Sequence, residues 1–153
     1  MARLFSLVML GFLWVTSIVS AAPLTGVHVS EAWTRPGAKD GTTAAYMELK
    51  NTNPHAVVIQ SASSPVAETV QLHETKDEDG VTKMREQASW TLEPGQTLVL
   101  RPGSFHIMLI GLHSDVTTKD TLALTLATDK GETLELSLPV KGCAKKTECH
   151  CHD

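Results

Sequence analysis

His73, Met84, His106 and Met108 are the residues whose types and spacing could do chemistry in this 153-residue chain, with 10 residues between the first pair, 21 between Met84 and His106, and one between His106 and Met108. Beyond residue 22 the chain holds only three methionines, Met47, Met84 and Met108. His106 and Met108 are two apart on an apolar, strand-like run, so their side chains share a face. His73 and Met84 fall on the two arms of a hairpin over residues 69–86, whose turn lies within Lys76–Gly80. A turn centred between Glu78 and Asp79 places them directly opposite one another; a shift of one or two residues moves them to neighbouring rungs. If hairpin and strand meet, two imidazoles and two thioethers converge. Hard Mg(II) and Ca(II) want oxygen, and Zn(II) is usually held by thiolate, imidazole or carboxylate. Monovalent copper is soft and accepts a mixed N/S site. A thioether needs no deprotonation and is not lost to disulfide formation in an oxidising compartment.

Short strands between punctuated turns would have to position these groups. Val27–Trp33, Ala44–Leu49, Ala56–Ser61, Thr69–Thr75, Val81–Glu86, Trp90–Leu92, Thr97–Leu100 and Phe105–Ile110 read as strands, broken by Asn51-Thr52-Asn53-Pro54 and by the Pro-Gly pairs at 94–95 and 102–103. Leu122, Leu124 and Leu126 alternate up to Asp129-Lys130-Gly131, and Leu134, Leu136 and Leu138 answer them, the pattern of a half-buried antiparallel hairpin. No window supports an amphipathic helix of about ten residues or more. The expected fold is all-β, seven to nine short strands in a sandwich or Greek-key barrel. A formal net charge of -4 gives no basic stripe for nucleic acid. Nucleophile elbow, His-Glu-x-x-His helix and paired acids are all missing, so no enzyme is expected. A blue-copper electron carrier would need a cysteine close to its histidines and methionine, and Cys143, Cys149 and Cys151 all lie far along the chain.

Residues 1–22 have a basic start at Arg3, an apolar run from Leu4 to Val19, and Ser20-Ala21-Ala22 before Pro23, the layout of a cleaved secretory signal. No cysteine follows the apolar run to take a lipid, and no later segment is long and apolar enough to cross a membrane, so no permanent anchor is expected. Residues 23–142 form the expected domain. Residues 143–153 are expected to be a flexible tail, in which Cys149, His150, Cys151 and His152 offer a second site for copper or zinc. Cys143 is positioned in sequence to pair with Cys149 or Cys151 on oxidation.

The spacing His73-x10-Met84-x21-His106-x-Met108 resembles the signature of the periplasmic copper chaperones called PCuAC, and the likeness runs from about Gly26 to Val140. Trp33-x-Arg35 and Tyr46-Met47 also fit that family. The resemblance implies a cupredoxin-like fold in a periplasmic protein, and the chain is expected to be a monomer. It implies Cu(I) at the four residues, for delivery to the dinuclear copper site of cytochrome c oxidase subunit II, with a Sco-type thiol protein as a further partner. Many relatives carry a tail rich in His and Met; here it is short and Cys/His-rich. Met47 is expected either as apolar cover beneath the site or beside the ligands, where it would tune access. His28, His55 and His113 have no partner pattern, and Asp77-Glu78-Asp79 reads as a solvated turn. Trp33 and Trp90 read as core or partly buried anchors. The rival readings are a copper-storage or resistance protein without a dedicated acceptor, and a β-sandwich binding module whose His/Met spacing is coincidental.

Overall fold

The computed structural model describes residues 22–142. The expected signal and the Cys/His tail therefore fall outside the described residues. Within them the chain forms eleven strands: β1 (Ala22–Pro23), β2 (Val27–Thr34), β3 (Thr42–Asn51), β4 (Val57–Ser63), β5 (Ala67–Glu78), β6 (Val81–Glu86), β7 (Trp90–Leu92), β8 (Thr97–Leu100), β9 (Phe105–Leu112), β10 (Thr121–Thr128) and β11 (Glu132–Pro139). Eleven exceeds the seven to nine expected, partly because β1 is a two-residue strand beside β11, too short to leave an alternation signal.

The strands form two sheets, β1-β11-β10-β4-β7 and β2-β3-β8-β9-β5-β6, with β3 also pairing β9. The fold is an all-β sandwich of two mixed sheets, and neither sheet closes into a barrel among the described residues. Each inner face is set by period-two alternation. Ala45, Met47 and Leu49 from β3 and Ile107 and Leu109 from β9 meet Ile59, Leu92, Leu122, Leu124 and Leu126 from the other sheet in one core. The leucine hairpin pairs as its alternation requires, with Leu122 opposite Leu138, Leu124 opposite Leu136 and Leu126 opposite Leu134.

β9 is the strand around which the larger sheet is organised. It pairs antiparallel with β5 over most of its length and with β3 through its middle residues, Ile107 to Ile110, and it meets β8 in parallel at Leu100–Phe105. Since Ile107 and Leu109 are fully buried in the core, His106 and Met108 must face outward from the sandwich.

Candidate metal centre

The β5–β6 hairpin carries the second half of the four-residue pattern, and its register differs from the direct His73–Met84 opposition. Asp79 and Gly80 are the two central turn residues, with φ of 56° and 78°. Two left-handed residues in succession make the turn whose twist matches a hairpin, and Asp-Gly tolerates that conformation. Asp77 Oδ1 accepts the Gly80 N–H at 2.9 Å and braces it. The closing pair is thus Glu78–Val81, which sets Thr75 opposite Met84 and His73 opposite Glu86. A centre between Glu78 and Asp79 would have asked Glu78 to take the left-handed conformation that Gly80 takes instead.

The shift is one rung, so every side chain keeps its face. On the other side of β5, His73 stands directly opposite His106 and Gln71 opposite Met108. The outer face of the sheet therefore presents His73 and His106 as a cross-strand pair, with Met84 and Met108 each on a diagonal to His73. The imidazole centroids are 5.7 Å apart and tilted by 55°. All four residues of the pattern share one patch of one face. Met84, His106 and Met108 line a depression of about 640 Å³ together with Arg35, Tyr46 and Thr75, while His73 adjoins it through His106.

Exposure differs sharply among the four. His106 is 5% exposed, on the central strand, whereas Met84 is 53% exposed on the edge strand β6. Tyr46 and Trp33 continue the face beyond His106. Their rings are 4.7 Å apart, Tyr46 is 6.5 Å from the His106 ring, and the Arg35 guanidinium lies 5.3 Å over Tyr46. Met47 is 1% exposed and points into the core on the opposite side of β3, so it packs beneath the sheet rather than beside His73, Met84, His106 and Met108. Trp90 is likewise a core residue, edge-on to Phe105. His28, His55 and His113 are exposed, away from this patch. Glu78 is engaged by Lys83 and Arg85, both at 2.9 Å, an intrahairpin use of that acidic turn.

Hydrogen bonding decides which ring nitrogens are free. His106 Nδ1 is 2.9 Å from the Ser104 carbonyl, which can only accept, so Nδ1 carries the proton and Nε2 keeps its lone pair. His73 Nε2 lies 2.9 Å from Gln71 Oε1, again an acceptor, leaving the lone pair on Nδ1. That Nδ1 is buried and has no hydrogen-bond partner. An unpaired buried acceptor costs roughly 1–3 kcal/mol and calls for an explanation. A soft cation fits it. Among the described residues no group of three His, Cys, Asp or Glu gathers anywhere, so two imidazoles here could complete a shell only with the neighbouring thioethers.

Burial, then repulsion from His106, lowers the His73 pKa, with the Glu86 carboxylate opposing them. An NMR titration of the metal-free protein should find the His73 midpoint below the ~6.5 of a free imidazole. A midpoint at or above that value would contradict the burial just described. The same shift makes stability depend on pH. As pH falls from about 6.5, the unfolded chain takes up this proton before the folded one does, so the histidine's contribution is full above that pH and is lost down through the folded midpoint.

The sandwich and its outer His/Met face define a domain of the cupredoxin-like kind, with strong structural resemblance to PCuAC copper-chaperone domains. Residues 27–140 match the family described as "Putative lipoprotein LpqE-like", and the chain belongs to that family. It is 38% identical over 117 residues to "Putative lipoprotein Lxx21020" of Leifsonia xyli, covering 76% of this chain and 70% of the relative. Among solved structures it resembles the copper-bound PCuAC domain from PmoF2, at 17% identity and a TM-score of 0.64, over 77% of this chain and 94% of that one. It also resembles the Cu(I) form of DR1885 from Deinococcus radiodurans, at 27% identity and a TM-score of 0.55, over 76% of this chain and 80% of that one. Both of those structures are described as copper-bound. The lipoprotein description agrees with the export expected from residues 1–22. No helix among the described residues is long and apolar enough to cross a membrane.

Gln71 and Glu86 are the residues of this patch that sequence reasoning missed. The signal available was the period-two rule, which puts Gln71 on the face of His73 and Glu86 on the face of Met84.

Proposed function

We propose that this protein is a periplasmic copper chaperone whose cargo, one Cu(I), is held by His73 Nδ1, His106 Nε2 and the thioether sulfurs of Met84 and Met108. The observation that carries the reading is the buried, unpartnered Nδ1 of His73, one rung from both methionines and directly across from His106. The Cu(I) form of DR1885 supports it, at 27% identity, as does the softness of the donor set.

Unequal exposure gives transfer a direction. Met84 is the accessible ligand, on an edge strand, and the acceptor's sulfur or nitrogen displaces it first. Met108 and the two imidazoles, on inner strands, hold the ion until the acceptor has a second ligand in place. The proposed acceptor is the dinuclear copper site of cytochrome c oxidase subunit II, with a Sco-type thiol protein as a further partner; both rest on the PCuAC resemblance. Cys149, His150, Cys151 and His152 are proposed as a second copper or zinc site, and the chaperone is proposed to act as a monomer.

Anaerobic Cu(I) titration of the mature chain, with Cys143, Cys149 and Cys151 replaced by serine so that the tail does not take the ion, followed by NMR at the histidine rings, tests the reading. One equivalent should perturb His73 Nδ1 and His106 Nε2 together, and adding an apo acceptor should reverse both. Copper taken up without moving either ring would refute the four-residue site. Copper bound there but not released to any acceptor would mark a storage protein instead.

A further inference from the structure

We propose that Gln71, itself oriented by Glu86, is a positioning residue that fixes the tautomer and ring orientation of His73 so that Nδ1 is presented to the cargo. This inference rests on the copper reading above. Gln71 and His73 are two apart on β5 and share its outer face, and Glu86 stands across from His73 on β6. Gln71 Nε2 lies 3.2 Å from Glu86 Oε2. An ionised carboxylate only accepts, so the nitrogen side of the amide must be the side turned toward Glu86. That turns Oε1 to His73, 2.9 Å from Nε2. An amide oxygen also only accepts, so His73 carries its proton on Nε2, and the ring cannot flip without breaking this bond.

The order of control is thus Glu86, then Gln71, then His73. Without Gln71 the imidazole could turn over or exchange tautomers, and part of the population would offer an N–H where the ion needs a lone pair. His106 is held differently, by the Ser104 backbone carbonyl, which a side-chain substitution cannot remove. His73 is the imidazole whose orientation rests on side chains. Outer partners of this kind are typically worth about 10–100-fold in metal affinity.

Three variants of the mature chain would be compared, with Cys143, Cys149 and Cys151 replaced by serine so that tail thiols do not compete: Gln71→Leu, Glu86→Leu and Glu86→Gln. Long-range ¹⁵N–¹H spectra of the metal-free protein read the His73 tautomer and its Nε2 proton, and competition against a chromophoric chelator reads Cu(I) affinity. The wild type should show a protected proton on Nε2. Gln71→Leu and Glu86→Leu should lose that protection, and affinity should fall roughly 10–100-fold. Glu86→Gln should keep both, because its amide oxygen still accepts from Gln71; if the charge of Glu86 were what mattered, this variant would fail like Glu86→Leu, and the inference would fall. A wild-type proton on Nδ1, or wild-type affinity in Gln71→Leu, would overturn it while leaving the four-residue site intact. A wild type that binds no Cu(I) would remove the site and the inference together.

Discussion

Replacing Met84 and Met108 together by leucine in the chain ending at Gly142 is expected to abolish competitive Cu(I) binding while leaving the fold in place. Leucine conserves volume and apolarity, and such exchanges usually cost less than about 1.5 kcal/mol. Met84 is more than half exposed and Met108 only half-buried, outside the core cluster, so the packing penalty should be small. What is lost is both soft donors at once. Two imidazoles with no third ligand of any kind among the described His, Cys, Asp or Glu residues cannot replace them. Affinity should fall by more than the roughly 100-fold at the upper end for an outer partner, because in the proposed site these sulfurs touch the ion itself. Ending the chain at Gly142 matters, since Cys149 and Cys151 would otherwise capture copper and mask the loss. Retained one-equivalent binding in the double variant would place the copper elsewhere. The two single variants should divide the effect unequally in kinetics: loss of Met84, the exposed ligand, should speed transfer to an acceptor, whereas loss of Met108 should mainly weaken retention.

The largest expected effect on stability is at Asn51. It is fully buried, and all three of its side-chain hydrogen bonds go to backbone. Nδ2 donates to the carbonyls of His55 and Leu92, both at 2.9 Å, and Oδ1 accepts the Asn53 N–H at 2.9 Å. Leu92 is on β7, in the opposite sheet from β3, so one amide ties the end of β3 both to its own turn and across the sandwich. Asn51→Ala leaves two carbonyls and an N–H without their partner, the Leu92 carbonyl in a buried setting and the His55 carbonyl and Asn53 N–H in part-buried ones. At about 1–3 kcal/mol for each unmet group, partly relieved by relaxation, the loss should be about 3 kcal/mol or more. Against a total of roughly 5–15 kcal/mol for an ordinary domain, that is a large share. Urea unfolding monitored by tryptophan fluorescence would measure it, and a loss below about 1 kcal/mol would show that the turn re-pairs without Asn51.

Asn51 also marks a limit of what could be read beforehand. In Asn51-Thr52-Asn53-Pro54 the residue types announce a chain break, correctly, but a buried bridge between sheets depends on which strand lies opposite, a tertiary fact. The leucine ladder of β10 and β11 was legible because alternation and turn chemistry agree, and its register follows from both. The β5–β6 register was legible in principle and differs by one rung, because which two residues take positive φ decides it, and Asp79-Gly80 suits that role better than Glu78-Asp79. The spacing of the four proposed ligands was visible as a pattern. The pairing of His73 with His106 was not, since nothing local to either strand says that β5 and β9 are neighbours. The role of Gln71 was hidden for a simpler reason: a glutamine on a strand is ordinary until its two partners are known.

β9 carries His106, Ile107 and Met108 in succession, outward, inward and outward. A single-residue insertion or deletion there would send an imidazole or a thioether into the sandwich and a fully buried isoleucine out to water. The hairpin tip obeys a different arithmetic. Adding or removing residues in pairs at the tip lengthens or shortens the hairpin by a rung and leaves Met84 opposite Thr75, on its face. Across descendants of this sequence, length should therefore vary in twos at the tip and hardly at all along β9, a pattern of tolerated change that separates the free end of the hairpin from the strand on which the whole face depends.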